Sequence, residues 1–159
     1  MKNNTLKPFI FLLTFLIFVN ACSFNQKNNA TLISRCQKNS NLEFYNLNSE
    51  ISIYATNDNV SYIVKKEIYS AKWDDVDPEQ MRLELEKVNT QIKQNNFEAN
   101  YEVKVVGIDL ITNLVFYFNE GNLLKLNNYN ISSIINNNNI KISKFTEYLH
   151  NNKYTCIDV

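Results

Sequence analysis

Glycine and histidine are scarce in this chain, and their scarcity excludes several kinds of catalytic site. The 159 residues include two glycines, Gly107 and Gly121, and one histidine, His150. A glycine-rich phosphate loop therefore cannot be built. A Ser-His or Cys-His nucleophilic pair could form only around His150. We place His150 in the last turn of a predicted helix, where a cation offsets the helix dipole, and take a general base as the alternative.

An excess of charge of either sign is also missing. The chain has 16 basic and 16 acidic residues, so its formal net charge at pH 7 is zero. Nucleic-acid-binding domains usually carry a clustered basic surface. We therefore expect no nucleic-acid partner. With no catalytic constellation in view, we also expect a protein that is not an enzyme and uses no cofactor.

The N-terminal residues have the composition of an export signal. Lys2 and Lys7 precede an apolar run over 9–19, and the small residue Ala21 follows it. A positive start, an apolar run of about 7–15 residues and a small residue at the cleavage site are typical of signal peptides. The run is shorter than the roughly 20 apolar residues that a membrane-spanning helix needs.

The signal ends in Val19-Asn20-Ala21-Cys22, which resembles the lipobox of bacterial lipoproteins. The resemblance implies cleavage before Cys22 and attachment of fatty acyl chains such as palmitate to it. It also implies a location in the bacterial cell envelope. In a Gram-negative host, Ser23 implies the outer membrane facing the periplasm, and in other hosts the anchor would lie on the outer face of the cell membrane. The alternative is an ordinary secretory signal cut after Ala21.

Two further cysteines, Cys36 and Cys156, lie near the two ends of the remaining chain. Exported compartments are oxidising, so we expect these two thiols to form a disulfide bond. Chain-entropy estimates give about 4–5 kcal/mol for a closed loop on the order of 100 residues. The rival interpretation, a redox or metal-binding pair, lacks a Cys-x-x-Cys motif and a nearby histidine.

The chain divides into three segments. Residues 1–21 form the signal peptide that is removed, 22–41 are polar and read as a lipidated flexible tether, and 42–159 form a single domain. Within that domain the alternating runs 50–56 and 60–69 flank a cluster of Asn and Asp. Asn and Asp tolerate left-handed backbone, so these runs predict a β-hairpin.

The pattern that follows Trp73 predicts one long amphipathic helix over about 78–95. Asp77 suits the N-cap position, and Pro78 suits the first helical position. The apolar residues then recur at intervals of four, three and four and form one stripe: Met81, Leu85, Val88 and Ile92. Such a helix lies on the domain surface with one face against a sheet.

The rest of the chain predicts more strands and a second helix. Strands are expected near 101–105 and 110–118, a turn at 119–122, a short C-terminal helix over about 144–151 and a closing strand over 154–159. Whether 123–127 is a strand or a helical loop stays open. The whole pattern predicts an α+β fold with an antiparallel sheet of about 5–6 strands.

This order of elements resembles the small YehR-like lipoproteins, the DUF1307 group. The likeness covers the lipid-cysteine start, the hairpin 51–69, the strands 101–106 and 114–118, and the closing segment 140–154. It implies an α+β domain on a lipid anchor, and it supplies no catalytic residue because that group has no assigned function.

One acidic cluster surrounds the start of the predicted helix: Asp74, Asp75, Asp77 and Glu79. Calcium binds several carboxylate oxygens at once, but this spacing is not that of an EF-hand loop. Acids before a helix N-terminus are favoured in any case, so we expect a solvated cap, with a weak calcium site as the alternative. For Trp73, the only tryptophan, packing in the core or at its rim is the default and a partner-binding anchor is the alternative.

Three functional hypotheses follow from the sequence. The first is a membrane-anchored, non-enzymatic envelope lipoprotein that binds or braces another envelope protein or polymer. The second is a secreted or anchored enzyme, or a weak calcium-binding protein, that uses the acids of 74–79. The third is an inhibitor of a wall-degrading enzyme.

Lipid attachment at Cys22 is directly testable. We expect the protein from its natural host to partition into detergent, because acyl chains contribute about 0.8 kcal/mol per buried methylene. Its intact mass should lack residues 1–21 and include the acyl groups. A water-soluble chain with an unmodified mass would contradict the lipoprotein assignment.

Overall fold

Six antiparallel strands form one sheet in the computed structural model, which describes residues 29–73, 77–126 and 129–159. The strands are β1 (Thr31–Asn41), β2 (Tyr45–Thr56), β3 (Asn59–Ala71), β4 (Ala99–Val106), β5 (Asp109–Tyr117) and β6 (Thr155–Asp158). Their order across the sheet is β4-β5-β3-β2-β1-β6. The long strands β2 and β3 therefore lie at its centre.

In the described part of the chain, three helices cover one face of this sheet, which we call the inner face. They are α1 (Pro78–Gln94), α2 (Glu120–Leu126) and α3 (Ile142–Asn151), with a short 3₁₀ helix at Asn130–Ile134. The predicted α+β class with an antiparallel sheet is confirmed. Among the described residues, none of the helices combines the length and the apolar character that crossing a bilayer requires.

The expectation of one long amphipathic helix is not met, because three short helices of 17, 7 and 10 residues divide the inner face among them. The dimensions of the sheet explain this. Six strands are about 24 Å wide and a 12-residue strand is about 40 Å long, whereas a 17-residue helix covers about 25 by 10 Å. A single helix of this size would leave much of the apolar face in water.

The predicted hairpin is present and joins β2 to β3. Asn57 and Asp58 both have positive φ, at 49° and 66°, and Thr56 faces Asn59 across the turn. Two-residue hairpin loops favour positive φ because the resulting twist matches that of the strands. Asn and Asp adopt this conformation more readily than other non-glycine residues, so local chemistry places the turn.

The interpretation of 22–41 as a tether is wrong for residues 31–41, because they form β1 inside the sheet. β1 pairs with β2 on one side and with β6 on the other. Its inward positions include the small residues Ser34 and Cys36, both fully buried, so the strand lacks the branched apolar alternation that usually marks one. Residues 22–28 lie outside the described part of the chain.

The predicted turn at 119–122 is also wrong, because α2 begins at Glu120. The side chain of Asn119 accepts a hydrogen bond from the backbone N–H of Asn122 at 2.9 Å, as a helix cap does. The buried Asn122 side chain in turn donates to the backbone carbonyls of Glu98 and Tyr117. These bonds join the helix start to β5, and residues 123–126 are therefore helical.

The core between sheet and helices consists of two apolar clusters. The larger contains strand residues such as Ile51, Ile63 and Phe116 together with helix residues such as Ile92 and Phe145. The smaller contains four buried residues: Tyr45, Tyr69, Leu85 and Leu110. Buried polar residues also lie on the inner face: Ser49, Lys65, Glu67 and Thr112.

Lys65 and Glu67 form an ion pair with no exposure to solvent. Lys65 Nζ lies 2.6 Å from Glu67 Oε1, and both side chains have zero relative exposure. The Tyr69 hydroxyl donates a hydrogen bond to Glu67 Oε2 at 3.0 Å. Burial lowers the pKa of Lys65 well below its usual value, and the charge of Lys38 lowers that pKa further. Each charge in this pair therefore depends on the other.

The opposite, outer face of the sheet carries a row of tyrosines. Tyr54 and Tyr62 are cross-strand partners whose rings stack at 4.4 Å, and Tyr117 lies beside Tyr62 with centroids 5.8 Å apart. All three side chains are half-buried by their neighbours on the sheet. Cross-strand aromatic pairs of this kind stabilise the pairing of β2, β3 and β5.

The disulfide bond between Cys36 and Cys156, predicted from the sequence, is present. The two residues face each other across the β1–β6 pair. The bond therefore attaches the four-residue edge strand β6 to the sheet.

We predict that Lys65→Met lowers the free energy of unfolding by about 3–5 kcal/mol, because it leaves the carboxylate of Glu67 buried without its counter-charge. The double variant Lys65→Met, Glu67→Leu should be more stable than Lys65→Met, since it buries no charge. Lys66→Met, on the outer face, is the control. It should lower the free energy of unfolding by about 0.5 kcal/mol, which is typical of a surface substitution. Urea unfolding measures all three, and equal losses for Lys65→Met and Lys66→Met would contradict the prediction.

We predict that the free energy of unfolding falls in alkali because of Tyr154. Its buried hydroxyl is hydrogen-bonded to Ser49 Oγ at 2.9 Å, and burial raises the pKa of Tyr154 to about 12. The unfolded phenol ionises near pH 10, so between about pH 10 and 12 the unfolded chain binds fewer protons and stability falls as pH rises. We expect this phenol to account for about 2–3 kcal/mol of that loss. Urea unfolding at pH 9 to 12 should show a smaller decline for Tyr154→Phe. The control Ser49→Ala removes the hydrogen bond, keeps the phenol and should retain the decline.

Candidate functional site

The most distinctive surface feature is a groove between the start of β2, the end of β3 and the first turns of α1. Its volume is about 670 Å³. Its lining combines aromatic, apolar and acidic side chains: Phe44, Tyr45, Trp73, Asp77, Gln80, Met81 and Glu84. We call it the aromatic groove.

Two large aromatic side chains stand half exposed beside this groove. Phe44 is 51 % exposed and Trp73 is 52 % exposed. Their ring centroids are 6.1 Å apart in an edge-to-face arrangement. Single exposed apolar residues are normal on protein surfaces, whereas adjacent ones at a concave site are candidates for an interaction surface. Trp73 is therefore not packed in the core; it lies at the rim of the groove, against Phe44.

Backbone and side-chain bonds hold the two aromatic residues close to each other. The backbone N–H of Lys72 donates to the carbonyl of Phe44 at 3.0 Å. The Lys72 ammonium donates to the carbonyl of Leu42 and lies 5.9 Å from the centre of the Trp73 ring. The loop before β2 is therefore attached to the end of β3, which keeps the backbones of the two aromatic residues close together.

Tyr45 connects the groove to the core. It is only 5 % exposed, and its ring packs edge-to-face against Tyr69 at 6.2 Å. Its buried hydroxyl has no hydrogen-bond partner among the described residues. Burial raises the pKa of Tyr45, and the negative charge of Asp77 raises it further, so the phenol stays protonated at neutral pH. The wall of the groove thus includes a neutral phenol whose hydroxyl is buried and has no partner among the described residues.

Carboxylates occupy the side of the groove formed by α1. Asp77 is the N-cap of α1, as the sequence predicted, and its Oδ1 accepts a hydrogen bond from the backbone N–H of Glu79 at 2.9 Å. Glu84 lies two turns further along the helix and forms an exposed ion pair with Lys87. The groove therefore combines aromatic and apolar surface with negative charge.

The acidic cluster proposed from sequence is only partly described. Asp74 and Asp75 lie outside the described residues. Asp77 caps the helix, and Glu79 forms an ion pair with Arg82 at 2.6 Å. Within the described ranges no group of three or more His, Cys, Asp or Glu side chains is arranged to hold a metal ion.

The remaining predicted residues fall in separate places. His150 is exposed in the last turn of α3, the position expected from the sequence. Cys36 and Cys156 lie in the disulfide between β1 and β6, away from the groove lining. Cys22 lies outside the described part of the chain. The structure thus brings Trp73 and Asp77 together in one groove and leaves His150 apart from them.

Phe44 is the functional candidate that the sequence reasoning missed. It lies in the three-residue connection between β1 and β2, where no local pattern marks an aromatic residue as special. The strand pairing brings Phe44 to its place: Tyr45 faces Ala71, so residues just before Tyr45 and just after Ala71 lie close in space. The sequence alone does not show this register.

Comparison with protein-family models, with curated proteins and with solved structures finds no match to this chain.

Proposed function

We propose that this protein is an exported lipoprotein of the bacterial cell envelope that binds another envelope protein and is not an enzyme. The observation that carries the proposal is the aromatic groove, where Phe44 and Trp73 are in contact and each is about half exposed. Aromatic residues in pockets dominate the energetics of protein interfaces. The groove is therefore the surface on which we expect the partner.

Burial of the two exposed rings would supply part of the binding energy of a specific contact. An aromatic side chain buries about 150–250 Å², so covering the exposed halves of Phe44 and Trp73 removes about 200 Å² from water. At about 25 cal/mol per Å² this corresponds to about 5 kcal/mol before the costs of association. Because hydrogen bonds between the two segments hold the backbones of Phe44 and Trp73 close together, little backbone ordering is needed at this anchor.

The export part of the proposal has two independent supports. The first is the signal-like segment that ends at Cys22, with its resemblance to a lipobox. The second is the disulfide between Cys36 and Cys156, since such bonds persist in oxidising compartments. An acyl anchor would confine the domain to a membrane surface, which suits a protein that acts by being held beside its partner.

The alternatives draw less support from the side chains that the structure describes. The enzyme and calcium hypotheses rest on 74–79, where Asp77 and Glu79 already serve as helix cap and ion-pair partner. Inhibition of a wall-degrading enzyme is a special case of the binding proposal, in which that enzyme is the partner.

Affinity capture from envelope extract tests the proposal. The full-length protein in detergent should recover a specific envelope protein, and Phe44→Ala and Trp73→Ala should each reduce its recovery about tenfold or more, as hot-spot residues do. Leu124→Ala is the matched control, because Leu124 is also about half exposed, at 54 %, and lies outside the groove. The Leu124→Ala variant should recover as much of the partner protein as the unmodified protein does.

Thermal unfolding of each variant separates lost binding from lost folding. Both aromatic residues are half exposed, so we expect melting temperatures near that of the unmodified protein. Equal recovery of the captured protein by all variants would overturn the groove as the binding site.

A further inference from the structure

We propose that the aromatic groove recognises a positively charged side chain, Arg or Lys, carried on an otherwise apolar segment of the partner protein. This inference rests on the proposed function and adds the chemical class of the ligand. Three features of the groove support it: aromatic rings, carboxylates and a buried hydroxyl without a partner among the described residues.

The aromatic rings favour a cation. The negative face of an indole or phenyl ring attracts ammonium and guanidinium groups within about 6 Å of its centre, and Trp is the strongest such ring. The chain itself shows this at Trp73, where the Lys72 ammonium lies 5.9 Å from the ring centre. Lys72 is held by backbone carbonyls of the preceding loop. The positive charge of Lys72 opposes a second cation at this ring, so the attraction for a partner cation must come from the carboxylates of the groove as well as from the rings.

The carboxylates give the groove the complementary charge. Asp77 and Glu84 both belong to its lining, and no basic residue does among the described side chains that line it. The charge of Asp77 is effective in the groove, since it contributes to the raised pKa of Tyr45. Glu84 is paired with Lys87 in an exposed ion pair, which is weak enough to be exchanged for a partner cation.

The hydroxyl of Tyr45 supplies the third requirement. Tyr45 is 95 % buried, lines the groove and has no hydrogen-bond partner for its oxygen within the described residues. Leaving a buried polar atom unpaired is unfavourable, so a ligand gains affinity if a small shift of the Tyr45 side chain turns this oxygen towards it. Arginine carries five N–H donors and no acceptor, which matches a phenol oxygen and two carboxylates.

The chemistry also fits an arginine or lysine better than the other cationic groups of an envelope. A lipid choline group carries a cation without N–H donors, so it would satisfy the rings and leave the Tyr45 hydroxyl unpaired. Met81 and the rings offer apolar contact to the neighbouring residues of a peptide. The structure therefore favours a protein segment over a lipid surface.

Fluorescence of Trp73, the only tryptophan of the chain, provides a direct readout. The full-length protein in detergent is titrated with acetylated, amidated pentapeptides of the sequence Ala-Leu-X-Leu-Ala, where X is Arg, Gln or Glu. We expect the Arg peptide to bind about tenfold more tightly than the Gln peptide, and the Glu peptide to bind most weakly. The preference for Arg should shrink as salt is raised, because exposed charges are screened.

A charge-neutral groove variant tests the role of the carboxylates. Asp77→Asn with Glu84→Gln removes both charges, while Asn retains the ability to cap the helix. The control is Glu147→Gln with Asp158→Asn, which changes the net charge equally outside the groove. The groove variant should weaken binding of the Arg peptide about three- to thirtyfold, as expected for two exposed ion pairs, and the control should leave it within about twofold.

The experiments distinguish failure of the cationic ligand from failure of the groove as the binding site. Equal affinity for the three peptides, or equal losses in the two double variants, would overturn the cationic ligand. A Trp73 response to phosphatidylcholine vesicles, without a response to the Arg peptide, would overturn it in favour of a lipid headgroup. If Phe44→Ala and Trp73→Ala still reduce partner capture about tenfold or more in these cases, the proposed function stands and only the ligand class fails.

Discussion

The buried ion pair between Lys65 and Glu67 is the constraint on which the arrangement of the sheet depends. Both residues point to the inner face of β3, the strand between β2 and β5, and neither has any contact with solvent. A register slip of one residue would turn both charges to the opposite face and bring Lys66 into the core. The pair therefore disfavours alternative registers, even though burying two charges contributes little net stability.

The same pair is connected to the candidate site through two tyrosines. Tyr69 donates its hydroxyl to Glu67, and its ring packs against Tyr45 at 6.2 Å. Tyr45 in turn lines the aromatic groove, so the chain of contacts from Lys65 to the groove consists entirely of buried side chains. Such side chains have little rotational freedom in a close-packed core. The groove is thus built on a rigid inner wall, with Phe44 and Trp73 as its exposed edge.

The parts of the fold that follow from local chemistry were predictable, and those that depend on strand partners were not. Asn57 and Asp58 marked the hairpin and Asp77 marked the start of α1, because turn and cap preferences act within a few residues. β1 was missed because its inward positions carry Ser34 and Cys36, which become buried only through β2 and β6. Of the candidate site, Trp73 and Asp77 were visible in the sequence. Phe44 was not, because its meeting with Trp73 depends on the pairing of β2 with β3.

The disulfide explains how a weak edge is tolerated in this sheet. β6 has four residues and pairs only with Ser34–Gln37 of β1, and an isolated short edge strand is marginally stable. The bond between Cys36 and Cys156 spans 120 residues, so it restricts the unfolded chain strongly while holding β6 in register. Without the bond, β6 could separate from the sheet. The edge of β1 that faces away from β2 would then be open to pairing with other chains. The closure of this sheet edge therefore depends on a covalent bond between β1 and β6 as well as on the four backbone pairs that join them.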